Sequence, residues 1–248
     1  MRDIKVALQE HYDKVYDKVA NEKFPLPPIV LGVFLYGSQN YNIATENSDV
    51  DTIAILIPTF EDLILKKPVS QEIHFENGEH CVIKDIREVV KQWKKQSLNY
   101  LEILFTDHFL IQKEWADDWD NLFVKNREDI AHMDIDKTIK AVSAQAIHTL
   151  LQDETNYKKQ ANALRMYYFL SAFVEGKSYK ECLTTSCKEV LDIKEGKTPF
   201  PFKSTQSFID AINKIKEGNK NNFLYNNKEI NSQLDKNLVN FVWRTIVF

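Results

Sequence analysis

The stretch Val33-Phe34-Leu35-Tyr36-Gly37-Ser38-Gln39-Asn40-Tyr41, continued by Ser48-Asp49-Val50-Asp51-Thr52-Ile53-Ala54-Ile55-Leu56-Ile57, decides how the chain is read. An apolar run of strand length ends in Gly-Ser, and after a short polar segment two carboxylates spaced i, i+2 open a second apolar run. Residues two apart on a strand point to one face, so Asp49 and Asp51 project into one small volume. Carboxylates that close repel each other and call for a cation between them. All-oxygen ligands suit Mg²⁺ (or Mn²⁺), which takes one or two carboxylates together with substrate phosphates. Gly37 allows a sharp exit from the first strand and a close backbone approach to a ligand. Ser38 supplies a hydroxyl, and the backbone N–H groups that follow can hold phosphate oxygens. Together these parts describe a site for a metal-bound triphosphate.

The same residues resemble the nucleotidyltransferase signature of the DNA polymerase beta superfamily, in which Gly-Ser on a loop precedes Asp-x-Asp on the next strand. The fuller pattern, Gly37-Ser38-x-x-Tyr41-x-Ile43-Ala44-Thr45 leading to Ser48-Asp49-x-Asp51, is similar to the RNA repair pathway nucleotidyltransferase family. That family reads Gly-Ser-x-x-Tyr-Gly-Leu-Ala-Thr-x-x-Ser-Asp-x-Asp, and Asn42 stands where it usually has Gly. Two further stretches resemble the family: Asn99-Tyr100-Leu101-Glu102-Ile103-Leu104-Phe105, with Tyr100 where Pro is usual, and the Pro199-Phe200-Pro201-Phe202 link. The run Lys158-Lys159-Gln160-Ala161-Asn162-Ala163-Leu164-Arg165 is similar to its Lys-x-x-x-Tyr-x-Leu-Arg helix, with Asn162 replacing the aromatic residue. Seven residues at about 100° each return nearly to the starting direction, so Lys158 and Arg165 share one helix face and can neutralise a triphosphate.

The superfamily resemblance implies a third carboxylate on a neighbouring strand. Asp85 is the candidate because it ends a strand-like run, in which Cys81, Ile83 and Asp85 share one face and His80, Val82 and Lys84 the other. Asp85 is also well placed to cap the following helix. Glu76 and Glu72 are the alternatives for the third acid, and Glu102 could support the site from behind.

Length and pattern give an α+β fold that changes to helical spacing near residue 110; the resemblance implies a polymerase-beta-like nucleotidyltransferase domain with a small mixed sheet over residues 1–110, followed by a helical domain over 111–248. Helices are expected over 3–20, 39–44, 86–96, 114–131, 135–153, 156–175, 205–217 and 228–247, with a hairpin turning at Asn77-Gly78. The proline-containing stretch 24–28 and the polar run 218–222 are expected as a helix stop and an exposed loop. Met166, Tyr167, Leu170, Phe173 and Val174 read as core, and Tyr168 as a residue that could stack on a base. The three cysteines lack metal spacing and the six histidines form no His-x-x-x-His pair, which argues against zinc. A net charge of −4 argues against a broad grip on duplex nucleic acid. No apolar run reaches the roughly 20 residues of a membrane span, and the first residues do not resemble a signal peptide, so a cytoplasmic protein is expected.

The chemistry expected is attack by a hydroxyl on the α-phosphorus of a nucleoside triphosphate such as ATP, with release of pyrophosphate under a two-metal clamp. Asp49 and Asp51 would serve both metals, Asp85 the nucleophile metal, Gly37 and Ser38 the β- and γ-phosphates, and Lys158 and Arg165 the phosphate tail. The family resemblance implies an RNA or tRNA 3′ end as acceptor. AMP transfer to a protein or small molecule, or nucleotide or RNA binding without turnover, are the other expectations.

Overall fold

The computed structural model describes residues 2–22, 27–46, 48–184, 187–218 and 228–247; the expected stop at 24–26 and loop at 219–222 lie outside the described residues. Helix α1 (Ile4–Glu22) buries Ala7, Leu8, His11, Val15 and Val19 along one stripe. Strands β1 (Ile29–Tyr36) and β2 (Asp51–Ile57) pair antiparallel. After the short helix α2 (Phe60–Ile64), β3 (Ser70–His74) and β4 (His80–Asp85) form the hairpin, whose Gly78 takes φ +87°. β4 runs parallel to β2, and a three-residue strand β5 (Phe109–Ile111) adds to the free edge of β1, giving the order β3-β4-β2-β1-β5.

Both faces of the central strands are covered, which explains why β1 and β2 are nearly unbroken apolar runs rather than alternating ones. One face, with Val33, Ala54, Leu56, Cys81 and Ile83, packs on Leu8, Val15 and Val19 of α1. The other, with Phe34, Ile53, Ile55 and Ile57, joins one hydrophobic cluster with the remaining helices. These are α3 (Ile86–Lys94), α4 (Leu98–Leu101), α5 (Lys113–Leu122), α6 (Arg127–Ala131), α7 (Ile135–Gln152), α8 (Tyr157–Val174), α9 (Tyr179–Thr184), α10 (Cys187–Lys194), α11 (Thr205–Gly218) and α12 (Lys228–Val247).

The α+β class holds, with a mixed sheet followed by helices. Several local expectations change. Residues 39–44 form turns instead of a helix, and 114–131 breaks into α5, a 3₁₀ turn at Val124–Asn126 and α6. β5 sits on the boundary expected near residue 110, and a single hydrophobic cluster runs from Leu31 of β1 to Phe241 of α12. Cys81 and Cys182 are buried free thiols. Among the described residues no helix is long and apolar enough to cross a membrane.

The approach of β5 to β1 depends on Gly32. A Cβ built there would lie 2.5 Å from the Leu110 carbonyl oxygen and 3.0 Å from Ile111 Cα. Backbone cannot yield as a flexible side chain can, so Gly32→Ala should push β5 off the sheet and cost about 1–3 kcal/mol, read as a lowered urea midpoint with unchanged slope.

Candidate active site

Three neighbouring strands place three polar side chains in a row at one end of the sheet. Tyr36 pairs with Asp51 across β1 and β2, and His80 precedes Cys81, which pairs with Thr52 across β2 and β4. Tyr36, Asp51 and His80 therefore share the face turned away from α1. His80 Nδ1 lies 2.6 Å from Asp51 Oδ1, and His80 Nε2 lies 2.6 Å from the Tyr36 hydroxyl. The bond to the Asp51 carboxylate raises the His80 pKa above its ordinary value against the opposing effect of burial.

Tyr36 and Asp51 of this row line a cleft of about 190 Å³, while His80 is bonded to both without being part of the lining. Asp49 lines it from just before β2, and Gly37 and Ser38 line it from the turn after β1. Lys158 and Arg165 of α8 and Lys194 of α10 contribute from the helical side. Acidic groups and cations thus come to one cavity from segments more than a hundred residues apart.

The turn after β1 is built from particular backbone states. Gly37 takes φ +89°, and its N–H donates to Glu102 Oε1 at 2.7 Å. Asn42, at the position where the resembled family carries glycine, takes φ +58°, a left-handed conformation that asparagine tolerates better than most residues. Tyr41 is buried beneath the turn, and the Arg165 guanidinium lies 3.7 Å above its ring centre.

Glu102 is fully buried, and its Oε2 has no hydrogen-bond partner among the described residues. Burial pushes its carboxyl up to about 8, opposed by the charge of Arg165 and the Gly37 N–H. Glu102 therefore supports the turn from behind and leaves the cleft wall to other groups. The Gly37 N–H is engaged behind the turn, which leaves Ser38 as the residue of this pair free to face a phosphate.

Of the residues singled out in the sequence, Gly37, Ser38, Asp49, Asp51, Lys158 and Arg165 all line the cleft. Asp85 does not, and its assignment as third carboxylate is corrected. It pairs with Leu56 at the far end of the β2–β4 ladder, on the face that packs against α1. There it is fully buried, caps α3 by accepting the Arg87 N–H at 2.8 Å, and forms an ion pair with the Arg87 guanidinium at 2.5 Å. The group beside Asp51 on the neighbouring strand is His80. Glu72 and Glu76 are exposed and line no part of the cleft. Tyr168 bonds through its hydroxyl to Glu189 of α10 and is also absent from the lining.

Lys194 was not foreseen. Its ammonium donates to the Ile43 carbonyl oxygen at 2.8 Å and to Ser48 Oγ at 3.2 Å, tying α10 to the segment between β1 and β2. Burial lowers its pKa, and the charge of Lys158 adds to the effect. Nothing in the local sequence marks Lys194 apart from other lysines. With Lys158 and Lys197 it also lines an open groove of about 500 Å³ at the cleft mouth.

Asp49 and Asp51 are hard oxygen donors. The Oδ2 of Asp51, not bonded to His80, lies 3.9 Å from where a Cβ on Gly37 would stand, so it faces the turn. That donor set fits one hard divalent cation shared with substrate phosphates. Among the described residues no three or more His, Cys, Asp or Glu side chains group into a metal cage of their own.

No family model matches the sequence, and no curated protein is similar to it. Among solved structures, the chain is similar to a nucleotidyltransferase-like protein from Exiguobacterium sibiricum 255-15, at 10% identity over 96% of this chain and 91% of that one, with a TM-score of 0.35.

Two outcomes follow from the charges. Glu102 is held protonated in the folded chain up to about pH 8 but ionises near 4.5 when unfolded, so its contribution to stability is present below about 4.5 and is lost as pH rises to about 8. Glu102→Gln keeps an acceptor for the Gly37 N–H and removes the group that ionises in the unfolded chain. Its unfolding temperature relative to wild type should rise across that window, as read by thermal melts at several pH values. Asp85→Ala removes the α3 cap and leaves Arg87 without its carboxylate, and should cost about 1–3 kcal/mol in denaturant unfolding.

Proposed function

We propose that the chain is a metal-dependent nucleotidyltransferase that moves a nucleoside monophosphate from a nucleoside triphosphate to a hydroxyl acceptor and releases pyrophosphate. The observation that carries this reading is the convergence on one cleft of the Gly37-Ser38 turn, the Asp49 and Asp51 carboxylates, and the Lys158, Arg165 and Lys194 cations. A triphosphate tail needs cations along its length and a hard metal ion at its reacting end, and this cleft brings lysine and arginine cations together with two carboxylates that would hold such an ion.

Asp49 and Asp51 would hold Mg²⁺ or Mn²⁺. Such an ion, when bound, neutralises charge on the reacting phosphate and its leaving oxygen. Ser38 receives the β- and γ-phosphates at the turn. Lys158 and Lys194 act as point charges on the tail, and Arg165, held flat on Tyr41, presents a fixed guanidinium edge. Glu102 keeps the turn in place through the Gly37 N–H.

The acceptor we put forward is an RNA or tRNA 3′ end. Support comes from the sequence resemblance to the RNA repair pathway family; the groove at the cleft mouth adds Lys158 and Lys194, while Lys197 is paired to Glu195 and Asp49 lies on the same wall. Transfer of AMP to a protein or a small molecule would use the same donor machinery.

A second reading, nucleotide binding without turnover, is favoured by one observation: Asp85 is a helix cap, and a histidine stands beside Asp51 instead of a third acid.

Incubation with each α-labelled nucleoside triphosphate, Mg²⁺ or Mn²⁺, and RNA or a protein extract should place label on the acceptor. Asp49→Asn should lower that transfer by at least about 10²-fold while circular dichroism stays unchanged. Full activity in Asp49→Asn would remove the central assignment, and saturable nucleotide binding without pyrophosphate release would favour the second reading.

A further inference from the structure

The cleft also holds a hydroxyl of the chain's own. Tyr36 is the last residue of β1, directly precedes the Gly37-Ser38 turn and lines the cavity. Its Oη lies 2.6 Å from His80 Nε2, and the other ring nitrogen of His80 lies 2.6 Å from Asp51 Oδ1. A hydroxyl bonded to an imidazole whose second nitrogen is fixed by a carboxylate is the arrangement that activates a weak oxygen nucleophile.

The sheet ladder fixes all three positions, since the residues come from three adjacent strands in matching register. Tyr36 and Asp51 line the cavity, and His80, bonded to both, is about a quarter exposed. A phenol is a weak nucleophile that needs an adjacent base, and His80 Nε2 is in contact with the Tyr36 hydroxyl.

We propose that Tyr36 is itself a nucleotidyl acceptor, so that the chain modifies its own cleft. The proposal rests on the nucleotidyl-transfer reading above. Tyr36 Oη attacks the α-phosphorus of a bound nucleoside triphosphate, and a new O–P bond forms. The bond from that phosphorus to the oxygen bridging the β-phosphorus breaks, and pyrophosphate leaves with its electron pair. The phenolic proton passes to His80 Nε2, whose ring Asp51 Oδ1 keeps in orientation. The product is a phosphodiester joining Tyr36 to the nucleoside 5′ oxygen, and nothing is oxidised or reduced.

The test uses the full chain with α-labelled nucleoside triphosphates and Mg²⁺ or Mn²⁺, with no other acceptor, followed by intact mass measurement and peptide mapping. The expected result is one nucleoside monophosphate on the peptide that contains Tyr36, removed again by excess pyrophosphate. Tyr36→Phe should carry none, and His80→Gln should acquire it about 10²-fold more slowly. Circular dichroism and unfolding midpoints check that both variants keep the fold.

A wild-type adduct on another residue, or labelling of Tyr36→Phe at the wild-type rate, would overturn the proposal. A wild-type chain that stays unlabelled yet transfers label to added RNA or another hydroxyl compound would end this inference and leave the transfer reading standing. A chain that neither labels itself nor releases pyrophosphate with any acceptor would end both.

Discussion

The hydrogen bond between Asp51 and His80 is the contact on which the site's shape depends. It joins β2 and β4 at the end of the sheet where Asp51 meets the cleft, and Tyr36 extends it to β1. The opposite face of the same strand ends is pinned as well. His11 of α1 is fully buried, and its two ring nitrogens lie 2.8 Å from Thr52 Oγ1 and 3.1 Å from Glu79 Oε2. Thr52 follows Asp51 and Glu79 precedes His80, so α1 holds from beneath the two positions that the Asp51–His80 bond joins on the other face. A polar network buried under a sheet is costly unless each member finds a partner, and here Arg2 completes it through an ion pair with Glu79.

From that fixed edge the rest of the cleft follows by charge. Asp49 and Asp51 lie on the sheet side, and the opposing cations come from α8 and α10. Arg165 illustrates how the helical side is kept rigid. It lies almost wholly out of solvent over Tyr41, and the buried Glu102 carboxyl feels its charge. The same Glu102 holds the Gly37 N–H, so the turn and the guanidinium are referenced to one side chain. Such preorganisation lets charged groups act in a low-dielectric cleft without rearranging when a ligand arrives.

Much of this was legible in the sequence because it is local. The Gly-Ser exit from β1 and the Asp-x-Asp entry to β2 sit at strand ends that apolar runs mark, and the seven-residue spacing of Lys158 and Arg165 is helical periodicity. Asn42 is a case where the chemistry of one side chain answers a backbone requirement that composition alone leaves open. The third position failed for a different reason. Alternation along β4 correctly put His80 and Asp85 on opposite faces, but only the parallel pairing with β2 and the packing of α1 decide which face meets the cleft. Asp85 is also drawn away by a competing role, since a carboxylate before a helix with an arginine two residues on has a strong local use. Lys194 and β5 were beyond reach because a lone lysine and a three-residue strand carry no pattern and gain meaning only from distant partners.

The reach of Lys194 across the chain has a bearing on modularity. Its ammonium grips the Ile43 carbonyl and Ser48, 151 and 146 residues earlier, next to the acidic wall. Neither half owns a finished cleft: the sheet side supplies Asp49 and Asp51, and the helical side supplies Lys158, Arg165 and Lys194. Moving either half onto another scaffold would leave its share of the cleft wall without the opposite charges.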